Sequence, residues 1–189
     1  MEIFELYESE VRSYCRQYKD VFYKAKNEFI YSESGREYID FLAGAGALNY
    51  GHNNEYIKQY LLDYIEKDGI THGLDMYTSA KQDFISEFVD NILKPRNLDY
   101  KIQFCGPTGT NAVEAALKLA RKVKKRNNIF AFMGSFHGMS LGSLATTSSL
   151  SSRGGAGVNL SNVTFMPFAN ASFNFLTAES SSGVSIDVI

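Results

Sequence analysis

Residues 106–122 read GPTGTNAVEAALKLARK: two glycines, a proline and two threonines in five positions, followed at once by an alanine-rich amphipathic run. A glycine-containing turn that leads into a helix N-terminus presents free backbone N–H groups and the positive end of the helix dipole, the chemistry that binds an anion. Gly109 lets the backbone approach a ligand closely, and the hydroxyls of Thr108 and Thr110 can add donors. The turn lacks the Gly-Lys-Ser/Thr of a nucleotide phosphate loop and the three glycines of a dinucleotide fingerprint, so a single phosphate monoester suits it better than a di- or triphosphate. The same residues also read as a tight turn before a capped helix with no ligand.

A second constellation, GSFHGMS at 134–140, directly follows the apolar stretch IFAFM. Ligands of open α/β sheets bind outside the carboxyl ends of the strands, which places Phe136 and His137 beside the phosphate turn, with Gly138 shaping the same loop. An aromatic face there suits a flat ring. The competing readings are a Phe136 that plugs the core and a His137 that is a structural hydrogen-bonder. His52, His72 and His137 share no metal-ligand spacing and no carboxylate cluster, so no metal is expected.

The elements that must position these residues follow from periodicity. Lys101–Cys105 reads as a strand, a helix starts near 110, and Ile129–Met133 reads as a second strand: a βαβ unit with parallel strands, hence an α/β fold. Val113, Ala116, Leu117, Ala120 and Val123 form the apolar stripe of that helix, Asn111 with Glu114 makes a capping box, and the basic run 122–126 suits its carboxyl end. Residues 148–157 read as a Ser/Gly-rich loop and Asn162–Phe168 as another strand. Upstream, Phe29–Leu42 reads as an antiparallel hairpin around Ser-Glu-Ser-Gly, and residues 54–67 and 79–94 as helices, the first capped by an Asn pair. Residues 2–14 read as a helix, either a dimer arm or a surface element. The expected organisation is an N-terminal segment of a small domain, 1–53, and an incomplete ligand-binding large domain, 54–189.

Composition narrows the class. A net charge of −2 and a pI near 5.9 give no net attraction to nucleic acid or anionic membrane, so neither is an expected partner. The start, MEIFELYESE, is acidic, and no run approaches the ~18 apolar residues of a membrane span, so the chain reads as cytoplasmic. Cys15 and Cys105 are far apart and read as buried free thiols.

GPTGTNAVEAALKLAR followed by GSFHGMSLGSLA closely resembles the class III aminotransferases, pyridoxal-phosphate enzymes of fold type I. EYIDFLAGAGALNYGHNN is similar to their glycine-rich segment after an N-terminal hairpin. Within the family, THGLDMYTSAK at 71–81 and RGGAGVNLSNVTFMPF at 153–168 resemble the diaminobutyrate-forming branch, as does Pro-Thr-Gly-Thr-Asn in the phosphate turn. The resemblance implies the N-terminal hairpin and the first half of a mixed, mostly parallel sheet. It makes the Gly109 and Thr110 amides the phosphate holders and Phe136 the ring stacked on the pyridine, and it places His137 and Gly138 beside it. Gly44–Asn49 would line the substrate entrance, and Leu74–Tyr77 would approach the partner's cofactor in a homodimer or higher homo-oligomer.

The implied reaction moves an amino group from L-glutamate to L-aspartate 4-semialdehyde, with small amino and oxo acids as substrates. Another ω-aminotransferase activity, on acetylornithine, 4-aminobutyrate or β-alanine, is the alternative. The family's Schiff-base lysine and pyridinium-pairing aspartate are expected beyond Ile189; Lys125 is the last lysine in the sequence, and Asp187 precedes the strand where that acid belongs. The chain therefore reads as an N-terminal fragment, inactive by itself, either retaining the phosphate cradle or serving only as a phosphate-binding or dimerising piece.

Overall fold

A computed structural model of the chain describes residues 2–10, 18–73 and 75–168. The chain divides into two compact units, Met1–Phe88 and Val89–Ile189.

In the first unit, helix α1 (Glu2–Tyr7) is followed by strands β1 (Phe22–Lys26), β2 (Phe29–Ser32) and β3 (Glu37–Ile39), which form an antiparallel sheet in that order. The expected hairpin is β2–β3, with Tyr31 opposite Glu37 and Gly35 turning the chain at φ 83°. β1 was not anticipated. It pairs Lys24 with Tyr31, whose ring the ammonium covers at 4.9 Å. Of the helix expected over 2–14, Glu2–Tyr7 is helical and 11–14 lie outside the described residues.

Helix α2 (Glu55–Glu66) starts where the Asn pair foretold: Asn54 Oδ1 accepts the Ile57 N–H at 3.2 Å. Helix α3 (Ser79–Phe88) begins behind Thr78, whose Oγ1 accepts the Lys81 N–H at 3.2 Å. The helix expected to run to 94 does not stay α-helical. Val89–Leu93 is a widened π-type turn and Lys94–Arg96 a tight one, ended by Asn97 at φ 53°. The cause is Pro95, whose ring would strike the carbonyl four residues back in α geometry.

In the second unit, helix α4 (Gly109–Lys124) ends at Lys125, which turns left-handed at φ 55° and donates its N–H to Arg121 O. Strand β4 (Ile129–Phe132) pairs in parallel with β5 (Val163–Met166), Ile129 opposite Val163, and the crossover carries helices α5 (Leu141–Thr146) and α6 (Leu150–Arg153). The parallel unit is thus β4–α5–α6–β5.

Four expectations need correction here. Lys101–Cys105 forms no ladder with any described residue, because a strand exists only with a neighbour and β4 pairs with β5. Residues 148–157 are not all loop: the Ser149 hydroxyl accepts the Ser152 N–H and starts α6. Of the α4 stripe, Val113 and Leu117 are half-buried, whereas Ala116, Ala120 and Val123 are exposed. Cys105 is a free thiol but only half-buried, and Cys15 lies outside the described residues. Among the described residues, the buried apolar side chains of this unit are Leu93, Ala131, Leu144 and Ala145, three of them on β4 and α5.

Candidate active site

An open cleft of about 640 Å³ lies at the carboxyl end of β4, against the first turn of α4. All six residues singled out from the sequence line it: Thr108, Gly109 and Thr110 on one side, Phe136, His137 and Gly138 on the other. Val113, Met139 and Ser140 complete the lining. Sequence reasoning missed these three, although Val113 lies one turn beyond Thr110 on the same helix face and the other two continue the Phe136 loop.

The anion turn is built by capping. Thr108 is extended at φ −140°, and its Oγ1 accepts the Asn111 N–H at 3.2 Å. The capping box expected from Asn111 and Glu114 is therefore displaced by Thr108. Glu114 instead reaches across to α5 and accepts the Ser143 N–H at 2.8 Å, capping a helix whose own Ser140 makes no side-chain cap. The Asn111 side chain occupies the space above Gly106 that a Cβ there would need. With Asn111 satisfied, the amides of Gly109 and Thr110 remain, and neither finds an acceptor among the described residues. Two adjacent N–H donors at the positive end of a sixteen-residue helix have the donor geometry that suits an anion.

The glycines separate structural need from open space. Gly138 sits at φ +126°, and a Cβ on it would overlap the Thr110 hydroxyl, so the fold itself demands glycine. A Cβ on Gly109 would meet nothing within 4 Å; the space it would take is the cleft. Phe136 is 66% exposed on the opposite wall, offering its ring to whatever fills the cleft. The His137 N–H is held by Thr147 Oγ1 at 3.0 Å. No lysine lines the cleft.

A smaller pocket, about 340 Å³, belongs to the first unit and is lined by Asp40, Ala43, Leu48, Asn49 and His52 among others. Of the segment Gly44–Asn49, Leu48 and Asn49 reach it. Asp40 accepts the N–H groups of Leu42 (2.9 Å) and Ala43 (3.0 Å) and meets His52 Nε2 at 2.7 Å. The Ala43 amide, then the His52 ring, then the Leu42 amide hold this carboxyl below the usual carboxylate range. Asp40 thereby anchors a turn in which Ala43 to Gly46 are all left-handed, a costly conformation for the two alanines. Met76 and Tyr77 are exposed, while Leu74 lies outside the described residues. Among the described residues no group of three or more His, Cys, Asp or Glu could hold a metal, and no helix is long and apolar enough to cross a membrane.

The sequence profile of the aminotransferase class-III family matches residues 13–185. The chain belongs to the class III aminotransferases. Over 170 residues it is 59% identical to the diaminobutyrate--2-oxoglutarate transaminases of Streptomyces coelicolor and Halalkalibacterium halodurans, covering 90% of this chain and 40% of each relative. The corresponding transaminase of Vibrio cholerae is 56% identical over 168 residues, covering 89% of this chain and 41% of its own. This class III chain thus spans about 40% of the length of the curated relatives it matches.

Solved structures agree on the fold, that of the fold type I transaminases. The taurine:2-oxoglutarate aminotransferase of Bifidobacterium kashiwanohense, in complex with PLP and glutamate, superposes with a TM-score of 0.75 at 18% identity, over 91% of this chain and 38% of that one. The ornithine aminotransferase of Toxoplasma gondii gives 0.69 at 18% identity, over 94% and 41%.

Proposed function

We propose that this class III chain carries the phosphate-binding half of a pyridoxal 5′-phosphate site, and that the whole protein is a diaminobutyrate–2-oxoglutarate transaminase. The observation that carries the first part is the pair of unpartnered amides, Gly109 and Thr110, beside the open space at Gly109 and facing the exposed ring of Phe136. The second part is supported by the names of the relatives at 55–59% identity. On this reading residues 1–53 belong to a small domain and 54–189 to an incomplete cofactor-binding domain. The whole enzyme works as a homodimer or larger homo-oligomer in the cytoplasm, on small amino and oxo acids.

The Gly109 and Thr110 amides would donate to the phosphate, and the α4 dipole would favour its charge. Thr108 Oγ1 accepts from Asn111, which leaves its own proton free to donate into the cleft. Phe136 would cover one face of the pyridine ring and exclude water from it. When bound, pyridoxal phosphate supplies an electron sink that lets an amino group be transferred between carbon skeletons. The whole enzyme would move that group from L-glutamate to L-aspartate 4-semialdehyde, giving L-2,4-diaminobutyrate and 2-oxoglutarate. No lysine lines the cleft, so the chain by itself binds without turnover.

The test is to mix the chain with pyridoxal phosphate, reduce with borohydride and map any adduct by mass spectrometry while following thermal unfolding. A raised unfolding midpoint with no lysine labelled stoichiometrically is expected. One lysine labelled in full, or no stabilisation at all, contradicts the reading.

A further inference from the structure

Behind the cleft lies a set of buried hydroxyls. Ser143 and Thr147 are each 0% exposed, and Thr146 is 2% exposed. Buried hydroxyls are costly unless bonded, so their partners show what they hold in place. Thr147 Oγ1 accepts the His137 N–H at 3.0 Å and stands 3.0 Å from Gly138 O and 3.2 Å from Ser143 O. A hydroxyl has one proton to give, and Gly138 O is the nearer acceptor. Thr147 therefore brackets His137 and Gly138, gripping the peptide group on each side of the pair.

The anion turn is tied to the same scaffold from the other direction. Ser143 Oγ donates to Ser140 O at 2.8 Å and meets Thr110 Oγ1 at 2.8 Å. Because the Ser143 proton is spent on Ser140, Thr110 is the donor in that pair, and its hydroxyl points inward while its amide faces the cleft. Phe136, by contrast, has no ring partner among the described residues and is 66% exposed. Its backbone is held at the next residue by Thr147.

We propose that Thr147 is a positioning residue of the cofactor site: by bridging the His137 amide and the Gly138 carbonyl it fixes the Phe136 wall at a set distance from the Gly109–Thr110 amides, so that a ring and its phosphate are met together. The inference rests on the pyridoxal phosphate reading. Pre-organisation of this kind raises affinity for a ligand that spans both walls and leaves a ligand of one wall unaffected.

The experiment is calorimetric titration of the 189-residue chain with pyridoxal phosphate and with inorganic phosphate, for wild type, Thr147→Val and Thr147→Ser. Thr147→Val should weaken pyridoxal phosphate at least tenfold and inorganic phosphate less than twofold, and Thr147→Ser should recover affinity to within about threefold of wild type. Equal loss for both ligands, no loss for either, or no recovery in Thr147→Ser overturns the proposal. Amide hydrogen exchange on the unliganded wild type gives a readout that does not depend on the valine variant folding. The His137 amide should be protected like the β4 ladder amides, and free exchange there overturns the proposal. A wild type that binds neither compound overturns the cofactor reading itself, an outcome distinct from a wild type and Thr147→Val that bind pyridoxal phosphate equally.

Discussion

The Asp40 pocket and the Gly109 cleft are each built from polar groups around a glycine-containing turn, yet they differ in what is left over. In the first unit, the Asp40 carboxylate takes up the Leu42 and Ala43 amides and the His52 ring, so the two amides that open the turn are spent on a side chain of the chain itself. Gly51, beside it, is glycine for a steric reason: a Cβ would press on the Asn27 backbone at 3.0 Å. In the second unit, Thr108, Glu114 and Ser143 likewise satisfy their neighbours, but the Gly109 and Thr110 amides are left over, and Gly109 faces open space. The phosphate proposal rests on this difference, two amides without an acceptor among the described residues beside a cleft.

The largest effect that would sharpen this contrast comes from Gly138→Ala. The new Cβ collides with the Thr110 hydroxyl at a backbone angle that side chains rarely adopt. Unfolding of the second unit should lose about 2–4 kcal/mol in a denaturant melt, and a change below ~0.5 kcal/mol would show that the loop is not packed as described. Gly109→Ala should separate binding from stability. With nothing of the chain within 4 Å, stability should hold or rise by up to ~1 kcal/mol, while pyridoxal phosphate affinity falls tenfold or more. A destabilised variant with unchanged affinity would make Gly109 scaffold, like Gly51.

Glu114→Ala removes the cap on α5 and leaves the Ser143 amide without an acceptor, which should cost about 1 kcal/mol in the same melt. If the Asn111–Glu114 box were the true cap, the lesion would instead loosen the start of α4, and hydrogen exchange in the two helices tells these apart. The smallest effect is a pH dependence in the first unit. The Asp40 carboxyl lies below its unfolded value of about 3.9, so its stabilisation is present above that pH and fades as pH falls through the lower folded value. Asp40→Asn should flatten this acid limb of thermal unfolding and leave the second unit's melt unchanged.

What the sequence made legible was local. The β2–β3 hairpin, the Asn54 cap, β4 and β5 each announce themselves within a few residues through turn chemistry or apolar runs. The six cleft residues were legible because a glycine turn and an aromatic loop each follow an apolar stretch. What was hidden depends on partners far along the chain. Glu114 reads as a local cap because its true partner lies 29 positions away. Lys101–Cys105 has strand composition, but a ladder needs a neighbour. LGSLAT, the sequence of α5, has too few large apolar residues to show a helical period, so the helix that carries Ser143 and leads into Thr147 left no trace.

The most direct test of the central claim is to titrate the chain with pyridoxal phosphate and with pyridoxal, which differ only in the phosphate. Saturable one-to-one binding is expected, with the phosphorylated compound tighter by tenfold or more and most of that advantage lost in Gly109→Ala. Equal affinities for the two compounds, or an advantage that Gly109→Ala leaves intact, would contradict it, because the Gly109 and Thr110 amides would then have nothing to do with the phosphate.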